Sequence, residues 1–235
     1  MTATRCARRP VYLIAGHGRR GRGPDPILAH VFNQTGKSRP TIAYVGAASN
    51  DNFLFFRWIR SWFQKSGAGD VLLARLASPR ADIGKARGII AQSDLVFISG
   101  GDVEAGMAIL AQYDLTSWFQ QLFDQGKAFF GMSAGSIMLC RSWVRWRDPN
   151  DDASAQIFPC LGVAPVLCDT HAEADEWQEL QTLLKLNGRA IGFGIPSGAT
   201  LQVNGDGSVS ALAKPVARFE AFADRISRLT DLIPR

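Results

Sequence analysis

Short apolar runs alternate along the first half of the chain with longer stretches whose apolar residues recur every three or four positions. The runs Val11–Ala15, Thr41–Gly46, Val71–Leu76, Leu95–Ser99 and Ala128–Gly131 read as strands. Between them, Pro26–Phe32, Phe53–Lys65, Ile83–Ala91 and the stretch from Glu104 to Phe123 carry helical spacing. This alternation predicts an α/β fold, a mainly parallel doubly wound sheet with helices on both faces. Phe53, Phe56, Trp58, Ile59, Trp62 and Phe63 are more apolar residues than one helix face holds. That helix is expected to be buried on two sides or to cover a partner surface.

The pattern changes beyond about residue 150. Val163–Cys168, Ala190–Ile195 and Thr200–Val203 read as further strands. Asn204-Gly205-Asp206-Gly207 reads as a hairpin turn into Val209–Ala213, with both glycines suited to positive φ. From Ala217 to Leu232, the positions of Phe219, Phe222, Ile226, Leu229 and Leu232 predict an additional C-terminal helix at about 215–232. No internal repeat or linker interrupts the 235 residues, so a single domain is expected.

Composition narrows the class. At 46% hydrophobic and 20% charged, the chain can bury a sizeable core, which excludes disordered and fibrous proteins. The charge of +5 does not argue for nucleic acid, because the basic residues are scattered rather than striped. No apolar run approaches the roughly 18 residues of a spanning helix, and the short N-terminal run reads as a first strand rather than a signal segment. A cytoplasmic protein with no membrane or nucleic-acid partner is expected. Cys6, Cys140, Cys160 and Cys168 form no Cys-x-x-Cys pair, and there are three histidines. Buried free thiols are expected, and no metal site.

The candidate chemistry begins at Gly131-Met132-Ser133-Ala134-Gly135, where a short apolar strand runs into a helical stretch. Gly-x-Ser-x-Gly in that context is the pattern of a nucleophile elbow, whose tight turn demands small neighbours. A serine at a helix start is also a common cap, so the pattern alone is only moderately specific. The N–H of Ala134, just after the serine, is the natural first oxyanion donor. A second Gly-rich loop, Ser99-Gly100-Gly101-Asp102, leaves the preceding strand where a partner donor is needed. Asp102 doubles as a candidate cap for the helix that follows.

A serine nucleophile needs a base, and the histidines are His17, His30 and His171. His30 lies in a helical run and reads as a packing or surface residue. His17 follows the first strand and is a candidate base or substrate contact. His171 follows a later strand between acidic residues, the best placement for a base. The orienting acid stays open among Asp148, Asp151, Asp152, Asp169, Glu173 and Asp175. The order Ser…Asp…His within about 40 residues is too compact for an ordinary α/β-hydrolase esterase.

Taken together, the segments Ala43–Asn50, Phe97–Asp102, Gly131–Gly135, Leu161–Pro165 and the downstream His171 resemble the dipeptidase E and cyanophycinase family of serine peptidases. Their fold is related to that of the class I glutamine amidotransferases, and the likeness spans about residues 11 to 205. It implies Ser133 as nucleophile, His171 as base, Asp148 as third member, and the N–H groups of Gly101 and Ala134 as oxyanion donors. It further implies cleavage of small peptides or amides through an acyl-enzyme, without metal or organic cofactor. Two departures bear on the substrate. Gly-Gly-Asp replaces the family's Gly-Gly-Asn, and the acidic Ala172–Trp177 replaces a Gly-Glu-Thr-Arg stretch whose arginine in dipeptidase E recognises a substrate aspartate. Substrate contacts are therefore sought at Asp102, His17 and Glu173, with Arg19, Arg20 and Arg22 as a replacement cation cluster. The same departures leave open a catalytically silent module that binds a small molecule or a protein. A Ser133 hydroxyl within roughly 2.6–3.5 Å of a His171 ring nitrogen would favour the enzyme. The C-terminal helix, unmatched in the family, would serve dimerisation or cap the sheet.

Overall fold

The computed structural model describes residues 8–16, 23–148, 150–223 and 225–234. Its first half runs β1 (Val11–Ile14), α1 (Pro26–Asn33), β2 (Ile42–Val45), α2 (Phe53–Lys65), β3 (Val71–Ala74), α3 (Ile83–Gln92), β4 (Leu95–Ile98), α4 (Val103–Gln112) and α5 (Leu115–Asp124). It continues with β5 (Ala128–Met132), α6 (Ala134–Leu139), β6 (Ser142–Trp146), β7 (Ala155–Pro159), β8 (Leu167–Thr170) and α7 (Gln178–Asn187). The chain closes with β9 (Arg189–Ile195), β10 (Thr200–Val203), β11 (Val209–Leu212), β12 (Val216–Phe222) and β13 (Arg225–Leu232).

The main sheet has seven strands in the order β11-β10-β1-β5-β4-β2-β3. The five strands from β1 to β3 in that order run parallel, and β10 and β11 pair antiparallel at one edge. Alternate residues feed two cores, as the two-residue period of a strand requires. Tyr12, Ile14, Tyr44, Phe97 and Phe130 pack beneath α1 and α2. Leu13, Val45, Ile98 and Phe129 pack beneath α3 to α6 on the opposite face. Both faces are thus covered, which is why these strands read as unbroken apolar runs.

Asn52 starts α2 by accepting the Phe55 N–H at 2.9 Å. The helix seats Phe56, Ile59 and Phe63 on the sheet, each burial stabilising by about 1.5–3 kcal/mol. At the start of the helix Phe53 and Leu54 stay exposed, at 55% and 74%. The expected Glu104–Phe123 helix is two helices. Asp114 adopts φ 53 between α4 and α5, a left-handed conformation that Asp tolerates better than most residues.

The later part of the chain builds a second sheet, β13-β12-β9-β8, and a separate β6–β7 hairpin. Leu180, Leu183 and Leu184 of α7 pack against Leu167, Ala217, Phe219 and Ala221 of that sheet. The expected C-terminal helix at about 215–232 is instead the antiparallel β12–β13 hairpin, turning where Phe222 pairs with Arg225. Ala217, Phe219 and Ala221 are buried while Glu220 and Phe222 point outward, a period of two. The small alanines complete that buried face, and the aromatics alone mimic a helical spacing. A dimerisation role for a terminal helix has no helix to rest on. In the Asn204–Gly207 turn, Gly207 takes φ 85, whereas a Cβ on Gly205 would overlap the Arg8 carbonyl oxygen. His30 is exposed on α1 and meets Tyr12 edge-on, in keeping with a packing or surface residue. Among the described residues, no helix is long and apolar enough to cross a membrane.

Candidate active site

The strands β4 and β5 are parallel neighbours, with Ile98 opposite Gly131, so their carboxyl ends emerge side by side. Open α/β sheets bind ligands at such ends. Ser99–Asp102 leaves one strand there and Ser133 leaves the other.

Ser133 sits in the turn between β5 and α6 at φ 54, ψ −127, a strained conformation for a residue with a Cβ. Its N–H donates to the Ile14 carbonyl at 2.8 Å, and its carbonyl accepts from the Ser136 N–H at 2.8 Å. Glycine is required on both sides of the turn. A Cβ on Gly131 would crowd the Gly135 carbonyl, and one on Gly135 would overlap the Ile98 carbonyl oxygen. Ala134 is the first residue of α6, so its N–H has no intrahelical acceptor and faces the positive end of the helix dipole.

The Gly100–Gly101 loop is braced by a 3-10 turn at Ala47–Ser49 that follows β2. The Asp102 N–H donates to the Ala48 carbonyl at 2.9 Å, and Gly101 takes φ 144 with no room for a Cβ against that same oxygen. Asp102 caps α4, accepting the Ala105 N–H at 2.8 Å. The Ala43–Asn50 segment singled out in the sequence is thus a buttress for this loop, a role the sequence did not announce.

His171 follows β8 and also adopts positive φ, 46°, held by its N–H to the Ile195 carbonyl at 2.9 Å. The Ser133 hydroxyl lies 2.7 Å from its Nε2. Gly101, Ala134 and His171 line one open cleft of about 420 Å3. Four of the residues implied by the resemblance therefore meet.

Asp148 is not brought into hydrogen-bond contact with His171. It lies in an exposed turn where its Oδ1 accepts the Asn150 N–H at 2.9 Å. Glu173 is closer to the pair in its electrostatics. Burial raises its carboxyl, but N–H groups of Glu173 and Ser197 and the charge of His171 hold it lower on balance. Its Oε1 accepts the Ser197 N–H at 3.1 Å. His17, Arg19, Arg20 and Arg22 lie outside the described residues.

Asp169, Glu179 and Trp143 also line the cleft, and none of them is among the substrate contacts expected from the sequence. Asp169, on β8, is buried, with Oδ1 accepting the Thr170 N–H and Oδ2 without a partner among the described residues. Burial, with Glu179 and Asp175 as repelling neighbours, raises its carboxyl to about 7. Glu179 is raised by burial as well, and its Oε2 accepts the Trp143 Nε1–H at 3.0 Å. The hydrophobic spacing of Leu180, Leu183 and Leu184 could have revealed α7 and hence placed Glu179; no local signal marks Trp143.

The family model for "Peptidase family S51" matches residues 12–210. A crystal structure of a peptidase from an acI-B1 actinobacterium superposes with a TM-score of 0.71 at 15% identity, over 94% of this chain and 97% of that one. A protein from Listeria monocytogenes EGD-e assigned as a peptidase E superposes with a TM-score of 0.61 at 13% identity, over 94% and 99%. At these identities the two structures speak for the shared fold. No curated protein matches the chain.

Proposed function

The chain belongs to peptidase family S51, a family of serine peptidases, and on that footing we propose that Ser133 is its nucleophile and His171 its general base. The observation that carries this is the 2.7 Å contact between the Ser133 hydroxyl and His171 Nε2. His171 takes the hydroxyl proton as Ser133 attacks the scissile carbonyl carbon. The N–H groups of Gly101 and Ala134 stabilise the oxyanion that forms. Collapse of that intermediate expels the amine, which receives the proton from His171. The same imidazole then activates water to hydrolyse the acyl-enzyme. Glu173, through its charge beside His171, is favoured over Asp148 as the acid that stabilises the imidazolium.

The substrate is a small peptide or amide, and the setting is cytoplasmic. A dipeptide-library screen comparing wild type with Ser133→Ala tests the reading. Hydrolysis of some members by wild type, reduced at least about 10³-fold in the variant, is expected. Activity that survives the substitution would contradict it.

A further inference from the structure

Among the described residues, the cleft beside Ser133 and His171 is lined by five carboxylates and by no lysine or arginine. Two of the five have evident structural duties. Asp102 caps α4, and Glu104 pairs with Arg145 at 3.4 Å. The other three, Asp169, Asp175 and Glu179, converge from β8, from the loop after His171 and from α7.

A cluster of acids is ordinarily a solvated face, but one member here is not solvated. Asp169 is 5% exposed, lies on the face of β8 that α7 covers, and leaves Oδ2 with no hydrogen-bond partner among the described residues. A buried carboxylate oxygen without a donor is destabilising unless something else supplies the donor. Glu179 is held from one side by the Trp143 indole N–H on Oε2, so its second oxygen can accept from a ligand. One oxygen of Asp175 accepts the Trp177 N–H at 3.0 Å, which likewise orients the carboxylate. Trp143 itself lines the cleft and offers an aromatic surface to a cation.

We propose that Asp169, Asp175 and Glu179 form a cation-recognition subsite, so that the preferred substrate carries an ammonium or guanidinium group beside the scissile bond. This rests on the peptidase reading of Ser133 and deepens it. An ammonium or guanidinium group carries several N–H donors, which can be shared among three carboxylates. Such a group would satisfy Asp169 Oδ2 and relieve the mutual repulsion of the three acids. The cation has two sources, a basic side chain or a free amino terminus.

Calorimetric titration of Ser133→Ala with four probes separates them: Lys-Ala, its Nε-acetylated form, its Nα-acetylated form, and norleucyl-alanine. Tighter binding of Lys-Ala by about tenfold or more over whichever acetylated form loses the relevant charge is expected. Loss on Nε-acetylation identifies the side chain; loss on Nα-acetylation identifies the terminus. Adding Asp169→Asn and Glu179→Gln should abolish the preference, so that Lys-Ala and that acetylated form bind with equal affinity. If that variant does not fold, Asp175→Asn with Glu179→Gln, at the more exposed positions, should reduce the preference several-fold. Equal affinity for charged and acetylated peptides, no binding of Lys-Ala at millimolar concentration, or a preference unaffected by the substitutions would overturn the proposal. Fluorophosphonate labelling of wild-type Ser133 reports separately on the peptidase reading, so the two can fail independently.

Discussion

Asp169→Asn gives the sharpest quantitative expectation. In the folded protein the carboxyl is raised to about 7, against an ordinary value of 3.8. Burial is the leading cause, followed by repulsion from Glu179 on α7 and Asp175 in the preceding loop and opposed by the Thr170 N–H. Because the folded value is the higher one, the unfolded chain releases this proton first. The contribution to stability is therefore fully present below about pH 4 and is lost as pH rises to 7. At about 1.4 kcal/mol per unit, the loss is roughly 1.5 kcal/mol at pH 5 and about 4 kcal/mol at pH 8. Asparagine cannot ionise, so its variant escapes this loss. Urea denaturation of both proteins at pH 5 and pH 8 should show the variant gaining about 3 kcal/mol on the wild type between the two. The difference between the proteins, not either curve alone, is the readout, since other carboxylates titrate in both. A stability difference that stays the same at pH 5 and pH 8 would refute a buried, unpartnered carboxylate. The same proton links to ligand: a cation that needs ionised Asp169 should bind about tenfold more tightly per pH unit from 5 towards 7.

Other outcomes follow from the geometry. Glu173→Gln should lower kcat at least about tenfold with little change in KM, while Asp148→Asn should stay within about twofold; steady-state kinetics on the best dipeptide decides between the two acids. Gly101→Ala should reduce kcat by about 10²-fold or more, because the added methyl displaces the loop from the Ala48 carbonyl and with it an oxyanion donor. Gly135→Ala should destabilise the protein by about 1–3 kcal/mol, read by thermal unfolding, since its Cβ would overlap the Ile98 carbonyl oxygen. Cys140, Cys160 and Cys168 are buried, and burial pushes the Cys160 thiol up to about 12, so no more than one of the chain's four thiols should react with a disulfide reagent before unfolding.

The sheet's parallel strands were legible because burial on both faces leaves no polar position to confuse the pattern, as in Leu95–Ile98. The limits of α2, Phe53–Lys65, were legible because its apolar residues begin and end there; the Asn52 cap became visible only in the structure. The β12–β13 hairpin was not, because Phe219, Phe222 and Ile226 fall at helical spacing by coincidence, while the true inward face uses Ala217 and Ala221, whose side chains carry little hydrophobic signal. Ser133, Gly101 and His171 could be named because each ends a strand in a recognisable local setting. The acids could not be sorted from sequence. Glu173 depends on a loop meeting Ser197 from beyond β9, and Asp169 depends on α7 covering one face of β8. Such encounters are tertiary and leave no mark in the neighbouring residues.

Reaction with a fluorophosphonate probe, read by peptide mass spectrometry, addresses the nucleophile itself. A single phosphonyl adduct on Ser133 is expected in the wild type. It should be absent from Ser133→Ala and slowed at least about 10²-fold in His171→Asn, because the 2.7 Å contact that activates the hydroxyl is lost. An adduct on another serine, or none on Ser133 in a protein that hydrolyses dipeptides, would contradict the assignment of Ser133 and His171 as the reacting pair.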